Sequence, residues 1–134
     1  MNKAVFRIQN LHLVLSVAIV IPVALVYGLF PNVILPKLLD FKVETTDLNN
    51  VFRAIMGLYL AMASFWILGI IKSKFWYAAT VSNILFMGGL AFGRIISLVI
   101  DGMPSTVFFI GTFGELILAV FGIYQLRKQE KNTL

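Results

Sequence analysis

Apolar residues in this chain do not alternate with polar ones. They run in four long stretches, Leu11 to Phe30, Leu48 to Ile71, Tyr77 to Ile100 and Thr106 to Leu126. Each reaches the ~20 residues that an α-helix needs to cross about 30 Å of hydrocarbon. Hydrocarbon offers the backbone no water to bond, so each stretch is predicted to be helical; strands of a lipid-facing barrel would be shorter and would alternate. The breaks carry helix-ending residues: Phe30-Pro31, Lys72-Ser73-Lys74 and Asp101-Gly102-Met103-Pro104. Two of the three connections are tight turns, so consecutive helices are predicted to pack antiparallel. Asp47 or Thr46 is expected to cap the second helix and Ser105 or Thr106 the fourth. The predicted fold is an all-α membrane protein, one antiparallel four-transmembrane-helix bundle over residues 1–134.

The first connection, 31–47, is long and mixes Pro31 and Pro36 with Val33, Ile34, Leu35, Leu38, Leu39 and Phe41. So apolar a segment is expected to lie in the membrane interface or to fold over the bundle mouth. Pro22 removes a backbone donor near the middle of the first helix and is expected to kink it. That stretch exceeds the apolar core of a secretory signal and lacks a small-residue cleavage site, so it is expected to remain as an anchor.

Composition agrees with the pattern. The chain is 60% hydrophobic and 13% charged, with a mean hydropathy of +0.93, against about 25% charged residues in soluble domains. A water-soluble fold could not bury so much apolar surface. The net charge of +5 is largely a topology signal. Lys3, Arg7, Lys72, Lys74, Arg127, Lys128 and Lys131 fall on one side, and only Lys37 and Lys42 on the other. The positive-inside rule then places both termini in the cytoplasm, with loop 31–47 outside. Trp76 and Tyr77 at the inner boundary and Tyr27 and Phe30 at the outer one fit the aromatic belts of a membrane span. Nothing in this charge distribution calls for a nucleic-acid partner. There is no cysteine, no paired-histidine metal spacing and no phosphate-cradling loop, so no metal, cofactor or catalytic residue is assigned.

Three charges interrupt the spans: Arg53, Arg94 and Glu115. Each costs about 2.5–3.5 kcal/mol on insertion scales, so such groups usually face the bundle interior and have partners. Helical spacing sorts the polar and small residues into one stripe per helix. These are His12, Ser16, Val23 and Tyr27; Asn49, Arg53, Gly57, Leu60 and Ser64; Asn83, Met87, Leu90, Arg94, Ser97 and Asp101; and Phe108, Gly111, Thr112, Glu115, Ala119 and Gly122. At 1.5 Å per residue, Arg53 lies about 8 Å, Arg94 about 9 Å and Glu115 about 14 Å below the outer helix ends. Side chains lean toward the N-terminus of their own helix, so Arg94 and Glu115 lean toward each other and are predicted to pair. Arg53 leans toward the outer mouth, where Asn49, Asn50 and Asp101 are available. His12 is expected at the inner interface, and Met56 and Met87 in the core. Gly89 with Gly93, and Gly111 with Gly114, are expected to allow close helix approach, within the bundle or between subunits.

At these positions the chain resembles bacterial four-helix membrane proteins of unknown function in the DoxX-like superfamily. The likeness lies in Asn50-x-x-Arg53-Ala54-x-x-Gly57-x-Tyr59, in Gly93-Arg94-x-x-Ser97 leading into Asp101-Gly102-x-Pro104, and in Gly114-Glu115. It implies a compact antiparallel bundle and marks Arg53, Arg94 and Glu115. Some members of the wider superfamily are membrane subunits linked to sulfur oxidation and quinone reduction, but that association brings no matching site here.

Two functional readings follow. In the first, Arg53, Arg94, Glu115, Asn49, Asn50 and Asp101 form an outward-facing polar pocket. Its surplus positive charge takes a small anionic or amphipathic molecule, such as a lipid or quinone headgroup, and Arg53 is the contact residue. In the second, the same groups only lock the helices together, and the glycine faces meet another copy or a membrane-complex partner, such as a quinone-linked one. A proton path is disfavoured because the stripe offers no continuous relay of ionisable groups. The chain has no acid, base and nucleophile set, which disfavours an enzyme.

Overall fold

A computed structural model describes residues 8–133. It contains α1 (Leu11–Gly28), α2 (Pro31–Leu38), α3 (Thr46–Ile71), α4 (Trp76–Ile100) and α5 (Thr106–Thr133), with short 3-10 turns at Ile8–Asn10 and Ser73–Phe75. Four segments are long and apolar enough to cross a membrane: Ile8–Gly28, Thr46–Ile71, Ser73–Ile100 and Thr106–Lys131. Among the described residues there is no strand. α1 packs most extensively on α3 and α4 on α5, and the two pairs meet chiefly through α3 and α4. Alternating directions make α1 parallel to α4. One end of the bundle carries α2 and the other the turn at 72–75. Lys3 and Arg7 lie outside the described residues.

The apolar connection after α1 forms a lid. Pro31 sits in the first turn of α2, where its missing N–H costs nothing, and the Phe30 carbonyl accepts from the Val33 and Ile34 N–H groups at 3.0 and 2.9 Å. Leu35, Leu39 and Val43 are buried against Val26, Tyr27, Phe52 and Phe108. The segment therefore folds over the bundle mouth, the second of the two placements its hydrophobicity allowed.

α3 starts two residues earlier than its hydrophobic run implied. Thr45 is the N-cap, its hydroxyl accepting from the Leu48 N–H at 3.1 Å, and Asp47 lies in the first turn near the positive end of the helix dipole. The Thr46 or Asp47 cap expected from sequence is thus displaced by one or two residues. Thr45→Ala is expected to cost about 1 kcal/mol in an equilibrium unfolding measurement. Before α5, the Ser105 hydroxyl is buried without a partner, and no side-chain cap from Ser105 or Thr106 occurs among the described hydrogen bonds. Gly102 at φ +94° supplies the left-handed residue of that turn.

The core is a column of aromatic contacts. Phe41 stacks on Phe52 and Phe52 on Tyr27; Tyr27 then meets Tyr59, Tyr59 meets Phe86, and Phe86 meets Trp66 edge to face, all within 5.0–6.0 Å between ring centres. Trp66 is fully buried and donates its indole N–H to Ser82 Oγ at 3.1 Å.

Close helix approach within the bundle uses glycines other than those expected. A Cβ on Gly28 would overlap Met56, one on Gly69 would overlap Ala79, and one on Gly122 would lie 2.8 Å from Ile84. Gly89, Gly93, Gly111 and Gly114 would each meet nothing within 4 Å. His12 also departs from its expected interfacial place. The 3-10 turn starts the span at Ile8, which carries His12 fully inside, against Thr80, Trp76 and Phe121. Trp76 is turned inward with it, and Tyr77 alone remains exposed at that boundary.

Candidate functional site

The α4 and α5 faces that meet near the α2 end carry the one ion pair found inside the bundle among the described residues. Arg94 Nε donates to both Glu115 oxygens, at 2.9 and 3.1 Å. The side chains retain only 22% and 13% of their exposure. Both bonds come from Nε, so the Nη groups stay off the carboxylate. Tyr27 is their other polar neighbour. The guanidinium lies over the Phe108 ring, 4.7 Å from its centre, a contact that strengthens when water is excluded.

The pair borders a cavity of about 290 Å³ among α1, α3, α4 and α5. Tyr27, Tyr59, Arg94 and Glu115 supply its polar wall, while Val20, Met87, Leu90 and Phe108 are among the apolar residues lining it. Gly111 and Gly114 border it too, so their missing side chains make room and not helix contact. Ile19 on α1 and Ile110 on α5 line the cavity and are 49% and 65% exposed, so it opens sideways between these helices. Arg94 also borders a smaller cavity of about 200 Å³ with Pro104, Phe109, Thr112 and Phe113.

The six residues expected to share one pocket divide into separate groups. Arg94 and Glu115 come together as their lean implied. Arg53 is exposed on α3, makes no ion pair among the described residues and does not line the cavity. Asn49 donates its side-chain N–H to the Thr45 carbonyl at 3.0 Å, and Asn50 is exposed. Asp101 is exposed and accepts from Ser97 Oγ at 2.8 Å. Asn49 and Asp101 thus bond at helix ends, Asn50 and Arg53 are exposed, and Arg53 is not a contact residue of the cavity.

The misplacement comes from α3. Its polar and small positions, Arg53, Ala54, Gly57, Ala61 and Ser64, are exposed, while Tyr59, Ala63 and Trp66 are buried and Phe52 is packed beneath the lid. Lipid is as apolar as a protein core, so hydrophobicity does not choose which face turns inward. Shape and packing do, and here the aromatic face fills space that the small residues could not. Arg53, about 10 Å from the start of α3, can extend its stem along the helix toward that end. Tyr59, which the sequence marks only as the end of the Asn50 to Tyr59 run, also lines the cavity.

Residues 8–126 match the sequence profile of a family described as a domain of unknown function, DUF4345. The chain belongs to this DUF4345 family. No curated protein and no solved structure matches it. The DUF4345 match takes in the lid, all four apolar spans up to residue 126 and every residue bordering the Arg94 cavity.

Proposed function

We propose that this protein binds a neutral amphipathic molecule with a hydrogen-bond-accepting head, such as a lipid ester or a quinone carbonyl, through the sideways-opening Arg94 cavity. The observation that carries this reading is the Nε-only pairing of Arg94. Glu115 offsets the guanidinium's charge while leaving its Nη donors off the carboxylate, beside the hydroxyls of Tyr27 and Tyr59 and an otherwise apolar wall. With Arg53 outside, the surplus positive charge that would favour an anion is gone, and a charge-balanced, largely apolar wall with Arg94 as its donor suits an acceptor without charge. An opening between helices lets the apolar body of such a molecule enter from the bilayer. Binding, storage or handover of the molecule needs no catalytic residue in this chain.

Thermal unfolding in detergent tests this with a short-chain quinone, a monoacylglycerol and a fatty acid. At about 100-fold excess over Kd, a bound ligand adds about 2.7 kcal/mol to stability, so either neutral probe is expected to raise the melting temperature more than the fatty acid does. Arg94→Leu combined with Glu115→Leu removes both charges together and is expected to fold but lose the shift. Arg53→Leu is expected to keep it. A shift that survives the double substitution overturns the proposal.

A second reading, an accessory subunit, is favoured by α4. Gly89, Gly93 and Ser97 are exposed at four-residue spacing, with open space above both glycines, which is the pattern at which transmembrane helices approach closely. Native mass spectrometry separates the two readings: a stoichiometric partner or second copy supports this one, and a single chain carrying an amphiphile supports the first. We further read the chain as a bacterial inner-membrane protein with both termini cytoplasmic, which the lysine and arginine distribution supports. The Asn50 to Tyr59, Gly93 to Pro104 and Gly114-Glu115 runs support kinship with DoxX-like proteins.

A further inference from the structure

Toward the 72–75 end, a second polar cluster lies entirely inside the bundle. His12 and Ser16 on α1 and Thr80 and Asn83 on α4 each have 0% exposure. His12 Nε2 and Thr80 Oγ1 are 3.1 Å apart, and the Ser16 hydroxyl donates to the His12 carbonyl at 2.8 Å. Because α1 and α4 run in the same direction, the His12–Thr80 contact sets their register. One turn further on, Ser16 has risen about 6 Å and Asn83 about 4.5 Å, which brings them nearly level. Elsewhere α1 and α4 touch little.

Neither Oδ1 nor Nδ2 of Asn83 has a hydrogen-bond partner. A carboxamide carries two donors and an acceptor, and each buried group left open costs about 1–3 kcal/mol. A leucine would avoid that cost, so an asparagine at this depth implies something that meets it. The chemistry of the partner follows from what is unmet. A cation would satisfy only Oδ1 and an anion only Nδ2, and either would bring a net charge into a cluster with no carboxylate or guanidinium. A neutral molecule that both donates and accepts can bond both Oδ1 and Nδ2. The surroundings favour a small one, since a Cβ on neighbouring Gly122 would already lie 2.8 Å from Ile84 and 3.6 Å from His12.

We propose that Asn83 holds a buried water molecule, fixed between its carboxamide and the lone pairs of Ser16 Oγ, which links α1 to α4. The Ser16 hydrogen is committed to the His12 carbonyl, so the water donates to Ser16 Oγ and Asn83 Oδ1 and accepts from Asn83 Nδ2. Met87, one turn beyond Asn83, borders the Arg94 cavity. The water site thus lies one helical turn, about 6 Å, from that cavity's lining. It stands independently of what the cavity binds.

A high-resolution experimental structure of the wild-type protein is expected to show a density peak of water size within about 3.2 Å of Asn83 and Ser16 Oγ. Asn83→Leu is expected to lose the peak and to melt several degrees lower, because Ser16 then loses its bridging partner. Ser16→Ala, which leaves Asn83 in place, is expected to weaken the peak and lower melting by a smaller step. An Asn83 amide bonded directly to protein, a peak heavier than water, or an Asn83→Leu protein that melts at or above the wild type each overturns the proposal.

Discussion

Glu115→Leu is expected to destabilise the folded bundle by about 3 kcal/mol or more, the usual cost of removing one partner from a buried ion pair. The substitution leaves Arg94 with its charge and 22% of its side-chain exposure in a largely apolar setting. Arg94→Leu is expected to cost less. A stranded carboxylate can take up a proton and become neutral, whereas a guanidinium holds its charge at any pH the fold survives. Combining the two substitutions is expected to recover most of the loss, because a matched apolar pair leaves nothing uncompensated. Denaturation in detergent, followed by helical circular dichroism across the three variants and the wild type, reads this order directly. Additive losses in the double variant would show that Arg94 and Glu115 act apart despite their 2.9 Å contact.

The second large effect is at the glycines. Gly69→Val is expected to destabilise the bundle by about 1–3 kcal/mol, since even a Cβ there overlaps Ala79 where α3 and α4 meet beside their turn. Gly28→Val forces the same conflict with Met56. The atom that meets it first is Met56 Cβ, held to its helix as the Ala79 methyl is, so a comparable cost is expected at Gly28. Gly57→Val, on the exposed face of α3 with nothing within 4 Å, is expected to change stability little. Thermal unfolding of the three variants in one detergent ranks them; equal losses at Gly57 and Gly69 would contradict the packing described here.

The four spans were legible because nothing but a membrane accommodates runs as apolar as Leu48 to Ile71 or Tyr77 to Ile100. The Arg94–Glu115 pair was legible as well. Both residues are too costly to leave in lipid, their depths differ by only about 5 Å, and the tilt of side chains along antiparallel helices closes that gap by aiming each at the other. Arg53 obeyed a different option within the same physics. It lies near enough to a helix end to stay exposed, and periodicity cannot tell a polar stripe that faces inward from one that reaches for headgroups. What decided α3 was the volume of Tyr59 and Trp66, a property of packing among four helices that no single helix encodes. Local chemistry misled in the same way at Thr45. Any of three neighbouring residues could cap α3, and the choice depends on where the lid delivers the chain. His12 is buried because α1 turns its His12–Ser16 face toward α4 and α5, where Thr80, Trp76 and Phe121 enclose the ring, a packing that the run beginning at Leu11 does not announce.

Photolabelling tests the central claim most directly. A monoacylglycerol carrying a photoreactive group near its ester, incorporated with the protein in lipid nanodiscs, is expected to label the cavity walls on α1 and α5, around Ile19 to Tyr27 and Val107 to Leu118. That labelling is expected to fall away when Arg94 and Glu115 are both leucine and to persist when Arg53 is leucine. Label concentrated on α3 around Arg53, or unchanged in the doubly substituted protein, would contradict a ligand held at Arg94.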